Sequence, residues 1–358
     1  MIVFSFDKSF FSEIYSLCFQ TRQSGQRVIV KRVLNPLCGI QLQIGIQQAA
    51  VQSGLQTRFT EFKRSDDFFT ENKKRLTGDF MKKVLGIVAS PRKIGNSEMM
   101  IKEIGKHIPV PCELKLLRLS DFDIKPCRAC YTCLFKEEHC VIKDDLHKIT
   151  EAIAEADGLI VAAPTYFLGA NALLKLLLDR GLSFYSYLDR FWGKPSVGIG
   201  IAGIEGKEGY TLLNIRSFLK LTMTDIKMTG MIYGALPGEI FFNEENKQIA
   251  AAMGKALFGE RLETKAPSCP LCGGDTFQFI GDNRVKCMLC SNPGTVETKD
   301  GRPVFSIGRA GHELFLSKEE ALQHRDWLRQ MKGRFSEEKS RLKEISSAYL
   351  KGWEFIKP

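Results

Sequence analysis

The sequence contains no stretch suited to crossing a membrane as a helix. Its longest uncharged run, Val33 to Thr57, carries six Gln together with Asn35 and Pro36 and is too polar for a span. No secretion signal is recognisable at the start, where Asp7 stands and a basic opening is missing. A concentrated basic face is also absent. The 51 Lys and Arg exceed the 41 Asp and Glu by ten charges, but the excess is spread along the chain and acts mainly on solubility. Scattered cysteine pairs, the mark of a secreted disulfide scaffold, are missing too. Eight of the eleven cysteines fall into two tight quartets, at 127–140 and 269–290. Regular C-x-x-C spacing of this kind reads as metal ligation by thiolates in a reducing compartment, which places the protein in the cytoplasm.

What is present is ordinary in bulk and specific in detail. At 358 residues, 44% hydrophobic and 26% charged, the chain is long enough for a full core and more than one domain. It is organised around Lys83 to Glu98. There Val84, Leu85, Ile87 and Val88 form an apolar run with no helical period, the pattern of a buried parallel strand, ending in Ala-Ser-Pro. After Asn96 and Ser97 come Met99, Ile101, Ile104 and Ile108 at helical spacing. A polar loop therefore joins a strand to a helix N-terminus, where unpaired N–H groups and the positive end of the helix dipole gather. Ser90, Arg92, Asn96 and Ser97 add side-chain donors, and the place suits a phosphate. This stretch carries neither G-x-G-x-x-G nor G-x-x-x-x-G-K-[ST], so the dinucleotide and nucleotide-hydrolase loops are excluded there. A plain strand-to-helix turn remains the bland alternative.

Residues 1–80 mix short apolar pieces with a Gln-rich tract, and neither periodicity persists. They are expected to be a poorly structured extension, or the product of a misassigned start, with the functional chain opening at Met81. From Met81 to residue 263 strand and helix alternate. Strands are expected at Glu113–Arg118, Gly158–Ala163, Ser196–Ile201 and Lys227–Tyr233, and helices from Asp144 to Ala156, Ala170 to Arg180, Tyr210 to Leu221 and Glu244 to Leu257. The pattern predicts an α/β fold, a doubly wound five-stranded parallel sheet in the order 2-1-3-4-5, with ligands beyond the carboxyl ends of the strands. Two further loops leave those ends. Pro164, Thr165, Tyr166 and Phe167 offer aromatic walls and backbone amides to a flat ring, although core packing explains the aromatics as well. Gly203, Gly206 and Gly209 allow close backbone approach.

The motifs A-S-P-R-x-x-G-N-S and, some seventy residues on, A-P-T-Y-F-L-G-A-N-A-L-L-K-L-L-L-D-R resemble those of the flavodoxin-like NADPH-dependent FMN reductases and iron-sulfur flavoproteins. The resemblance covers Met81 to Phe258. It implies FMN, with Ser90, Arg92, Asn96 and Ser97 on its phosphate, Pro164 to Phe167 beside the isoalloxazine, and Gly203 and Gly206 near the ring. Ala-Ser replaces the commoner Gly-Ser, and no Gly-Gly pair follows the fourth strand, which weakens the assignment of those two glycines.

The first quartet is Cys127, Cys130, Cys133 and Cys140. Spacing of C-x2-C-x2-C wraps a cubane, and Cys140 lies close enough in sequence to complete a 4Fe-4S set; structural zinc and free thiols are the other readings. The resemblance favours the cluster, since such a motif followed by paired aspartates, here Asp144 and Asp145, occurs at this place in iron-sulfur flavoproteins. Flavin and cluster together would convert two-electron into one-electron transfer. The second quartet, Cys269, Cys272, Cys287 and Cys290, resembles a zinc ribbon over residues 264–310, with a rubredoxin-like iron site as rival and small strands expected around Phe277, Phe279 and Val285. Residues 311–358 read as a tail of one or two amphipathic helices. His324 is read as a surface or core residue.

These observations converge on a cytoplasmic, homodimeric oxidoreductase. It would move electrons from NAD(P)H or a ferredoxin-like donor to an acceptor through FMN and a cluster, without a catalytic acid or base. The rival reading is a nucleic-acid or protein-binding module with a flavin sensor. The ribbon has no cluster of Arg and Lys interleaved with aromatics, so a nucleic-acid partner is disfavoured.

Overall fold

The computed structural model describes residues 27–35, 39–47, 81–135, 140–261 and 266–350, with Gly352, Glu354 and Ile356. The chain divides into two units between Phe69 and Thr70. In the first, β1 (Arg27–Asn35) pairs antiparallel with β2 (Gly39–Gln47). Ile40, Leu42, Ile44 and Ile46 alternate with Gln and Gly there, a period of two within the tract that reads as aperiodic when scanned for longer segments. The remaining expectations for residues 1–80 lie outside the described residues.

The second unit is built on five parallel strands: β3 (Lys82–Val88), β4 (Cys112–Arg118), β5 (Gly158–Tyr166), β7 (Pro195–Ala202) and β8 (Asp225–Tyr233). They lie in the order β4-β3-β5-β7-β8, which is 2-1-3-4-5 among the parallel strands, as expected from the alternating pattern. The sixth member of the sheet, β6 (Gly169–Ala170), was not expected. It folds back antiparallel on the end of β5, with Thr165 opposite Ala170 and Tyr166 opposite Gly169. The third strand therefore runs past Ala163 to Tyr166, and the following helix starts two residues later than its apolar pattern suggests.

Helices cover both faces. Val84, Val88, Ile160, Ala162 and Ile199 face α1 (Asn96–Lys106), while Leu85, Ile87, Leu159 and Val161 face the opposite layer. That layer contains α2 (Leu146–Glu155), α3 (Ala172–Leu178) and α4 (Thr211–Leu221); α5 (Glu244–Leu257) shares the first face with α1. Fully buried Val, Ile, Leu and Phe side chains each stabilise the fold by about 1.5–3 kcal/mol, so the double-sided core dominates the energetics. Gly86 lets α1 approach β3 closely, since a Cβ there would collide with Ile101 and Leu116.

Beyond α5, a four-stranded antiparallel sheet runs in the order β12-β11-β10-β9: β9 (Phe277–Phe279), β10 (Arg284–Cys287), β11 (Pro293–Lys299) and β12 (Arg302–Ile307). Its apolar side, including Phe277 stacked on Phe305 at 3.6 Å, packs with Leu213 and Leu221 of α4. The tail forms α6 (Lys318–Glu337) and α7 (Lys339–Ser347). Among the described residues no helix is long and apolar enough to cross a membrane.

Candidate functional site

The loop after β3 gathers donors at the mouth of the sheet. Gly95 is the N-cap of α1, and no side chain caps the helix there, so the first N–H groups of α1 stay available to an anion. Ser90 and Ser97 are buried beside them. The Arg92 N–H donates to Ser90 Oγ at 3.3 Å, and Arg92 Nη1 reaches Ala235 O at 3.4 Å. Asn96 has a different part from the one expected of its side chain. Its Nδ2 donates to Gly234 O and Leu236 O at 3.1 and 3.0 Å, and its Oδ1 accepts from the Gly238 N–H at 2.8 Å. Those bonds lash the loop after β8 to the phosphate loop, leaving the Asn96 backbone N–H to face an anion.

Sequence reasoning missed Glu98, which reaches back from the third helical position to accept the Ile94 N–H at 2.9 Å. A Glu three residues inside a helix start was the signal available. The Lys102 ammonium, together with the Ile94 N–H and Arg118, holds its carboxyl down to about 2 against the pull of burial. Because two cations flank this carboxylate, it does not repel an anion from the loop as a bare one would.

The loop after β5 is a tight hairpin. Phe167 and Leu168, at φ 49° and 67°, occupy the left-handed region that favours glycine, and this presents Phe167 fully exposed and Tyr166 partly exposed at the mouth. Pro164 O accepts the Asn171 N–H at 3.0 Å, and Thr165 Oγ1 lies 2.7 Å from Thr211 Oγ1, fixing the hairpin to α3 and α4. The glycine loop after β7 is tied to it by the Tyr210 N–H donating to Leu168 O at 2.7 Å. Gly203 lies near Ala235, and Gly206, at φ 73°, has open space around it. A G-x-G-x-x-G spacing does occur at Gly198, Gly200 and Gly203, but it lies within β7 and at its end, not at a strand-to-helix turn. In the same loop Glu208 Oε2 is buried without a partner among the described residues. The neighbouring Tyr233 hydroxyl is pushed up by burial and by the Glu208 charge.

The first cysteine quartet follows β4 at the same end of the sheet. Ala129 and Tyr131 take left-handed φ values of 49° and 56°, curling the loop around its sulfurs. The Ala129 N–H donates to Cys127 Sγ and the Thr132 hydroxyl to Cys130 Sγ, each at 3.4 Å. The Thr132 bonds hold the Cys130 thiol below its usual range, while burial and then the charges of Cys140, Cys127 and Cys130 push Cys133 up to about 11. The N–H and O–H donors aimed at the Cys127 and Cys130 sulfurs are partners that thiolates accept. The four sulfurs are not drawn together as ligands of a single ion: Cys127 and Cys130 are exposed, and Cys133 and Cys140 half-buried. A four-iron cube holds its ligands farther apart than one ion does.

The second quartet is closed. Cys269, Cys272, Cys287 and Cys290 are all buried, with their sulfurs within 4.8 Å of one another. Cys269 and Cys290 sulfurs lie 3.8 Å apart, and those of Cys272 and Cys287 3.6 Å. A tetrahedral ion with metal–sulfur bonds of about 2.3 Å requires edges of about 3.8 Å, so the thiols already stand at ligation spacing. The Gly274 N–H donates to Cys272 Sγ at 3.4 Å. His312 Nε2 and His324 Nδ1, 2.8 Å apart, pair with each other beside Trp327.

Over residues 82–229 the sequence matches the NADPH-dependent FMN reductase family. An iron-sulfur flavoprotein of Methanocaldococcus jannaschii is 35% identical over 141 residues, which are 38% of this chain and 70% of that relative. One from Archaeoglobus fulgidus is 30% identical over 184 residues, 51% of this chain and 81% of the relative. A solved structure described as a flavone reductase matches with a TM-score of 0.57 at 16% identity, covering 77% of this chain and 100% of that one, a likeness of fold.

Proposed function

The chain belongs to the NADPH-dependent FMN reductase and iron-sulfur flavoprotein family, and from that premise we propose that it transfers electrons from NAD(P)H or a ferredoxin-like donor to an acceptor through FMN and a 4Fe-4S cluster. The observation that carries this reading is the uncapped start of α1, with buried Ser90 and Ser97, Arg92 and the aromatic hairpin at one mouth. Backbone N–H groups of Asn96 and Ser97, the Ser90 hydroxyl and the Arg92 guanidinium would hold the FMN phosphate. Pro164 to Phe167 would wall the ring, and the orphaned Glu208 oxygen is the kind of acceptor that a ring N–H satisfies. FMN supplies hydride acceptance and single-electron release when bound.

The chain's own residues bind, orient and exclude water; none acts as nucleophile. Gly203 and Gly206 would leave room for the ring edge. Cys127, Cys130, Cys133 and Cys140 would ligate the cluster, and the donors to Cys127 and Cys130 sulfurs would stabilise its negative charge. Cys269, Cys272, Cys287 and Cys290 would hold zinc as a structural centre. The division this implies is a flavin domain at 81–263, a metal ribbon at 264–310 and a helical tail at 311–358, in a cytoplasmic homodimer.

Anaerobic purification followed by visible spectroscopy with flavin, iron and zinc analysis tests the reading. Bound flavin bleached rapidly by NAD(P)H is the result expected of a reductase. Bleaching only by a one-electron donor would make the protein a carrier, and colourless protein that refuses added FMN would overturn the reading.

A further inference from the structure

The tail lies beyond residues 82–229, yet it returns to the first cysteine loop. Arg329 Nε donates to Leu134 O at 2.7 Å, and Lys332 Nζ stands 5.0 Å over the Phe135 ring. Leu134 ends the single helical turn Thr132–Leu134, which contains Cys133. We propose that α6 is a positioning element for this loop, with Arg329 seating the turn that carries Cys133. The proposal rests on the reading of that loop as a redox-cluster site.

Three observations carry it. The loop has two non-glycine residues, Ala129 and Tyr131, in left-handed conformations that side chains rarely adopt, so its shape must be held by what surrounds it. Leu134 is buried, and its carbonyl receives a charge-assisted bond from a guanidinium that Asp326 steadies at 3.4 Å. The helix is itself anchored. Ser317 caps it by accepting the Glu320 N–H at 3.2 Å, and Ala321 and Leu322 pack with Leu188, Met223, Tyr185 and Trp192. The tail thus has a fixed end from which to hold the loop. Arg329 and Lys332 also bring two positive charges to a segment whose thiolates and cluster would be negative, so removing either should make the cluster harder to reduce.

The test uses full-length protein as purified with its flavin, in Arg329→Ala, Arg329→Lys and Lys332→Ala forms. Iodoacetamide labelling of Cys133, located by peptide mass, should run about fivefold faster in R329A, the factor that one hydrogen bond of about 1 kcal/mol supplies. R329K, which keeps a donor and the charge, should fall between R329A and the parent. The iron reduction potential should move to more negative values in R329A and K332A. Flavin content and far-UV circular dichroism serve as the folding control, and K332A carries the test if R329A fails to fold. Parental labelling rates and potentials in both alanine variants, with iron present, would overturn the proposal and leave the cluster reading standing. Accelerated labelling in protein whose first quartet holds no iron would do the opposite, upholding the positioning role and removing the cluster.

Discussion

Arg180 and Asp144 form an ion pair closed off from water, each side chain 1% exposed. Asp144 also accepts the N–H groups of Lys125 at 3.0 Å and Leu146 at 3.2 Å, and Arg180 donates to Lys125 O at 2.6 Å. Burial pushes the Asp144 carboxyl up, but Arg180 and those two N–H groups outweigh it and hold the group below its usual value. The pair ties the segment just before Cys127 to the start of α2 and the end of α3. Asp144→Ala should cost about 3–5 kcal/mol, because it strands a buried guanidinium. Urea denaturation measures this, and a D144L/R180M double variant should recover a substantial part of the loss.

Glu98 gives the acid limb of stability a specific cause. Its folded pKa, near 2 against an ordinary 4.5, is depressed. Its contribution is therefore complete above about pH 5 and disappears as the pH falls from there toward 2. The shift corresponds to about 2–3 kcal/mol once the half-exposed Lys102 partner is discounted for screening. Glu98→Gln should lose that amount at pH 7 and flatten the stability profile between pH 5 and 2. Thermal denaturation across this range checks it, and equal acid sensitivity in E98Q and the parent would remove Glu98 as the cause.

On the proposed reading, Arg92 would separate phosphate binding from ring binding. Its guanidinium stands at the loop while the aromatic hairpin stands elsewhere at the mouth, so Arg92→Ala should weaken FMN by about tenfold or more, the scale of one charge-assisted hydrogen bond. Riboflavin, which lacks the phosphate, should bind both proteins alike. Fluorescence titration of the two flavins distinguishes the outcomes, and equal weakening of both would mean that the loop had collapsed.

The central strands β3, β5 and β7 were legible because each is a short apolar run buried on both faces, the half-buried outer strands β4 and β8 from their place in the alternation, and the second quartet because four thiols able to share one ion stand at a fixed sequence spacing. What stayed hidden depends on contacts between distant segments. Asn96 looks like a phosphate donor in the sequence, but its partners, Gly234 to Gly238, lie some 140 residues on. Asp144 and Arg180 are each visible as polar residues, yet only the folded chain pairs them. The hairpin of β11 and β12 was within reach. Asp300 and Gly301, at φ 50° and 72°, form the Asp-Gly turn that most strongly marks a two-residue hairpin, between Lys299 and Arg302 and past the second knuckle. Arg329 had no local signal, because a backbone carbonyl such as that of Leu134 is available in any sequence.

The second quartet makes the sharpest prediction about metal. Four buried thiols within 4.8 Å of one another cannot all ionise without a cation between them, and on the proposed reading they would ionise around a zinc ion, a kind of structural site that supplies about 10–16 kcal/mol. That energy would support a small sheet of short strands whose core, Val285, Leu289, Ile307 and Phe315 beside the Phe277–Phe305 stack, is built around the four thiols themselves. Cys272→Ser should therefore lose one metal equivalent per chain and open residues 266–310 to protease. The flavin spectrum should stay unchanged, since the sheet packs on α4 at Leu213 and Leu221 and not on the phosphate loop. Zinc predicts that flavin-free protein shows no visible metal–thiolate band from this centre, whereas iron would add one that survives Cys130→Ser and vanishes in C272S. Retention of the metal in C272S would mean that these thiols, despite their spacing, do not form its site.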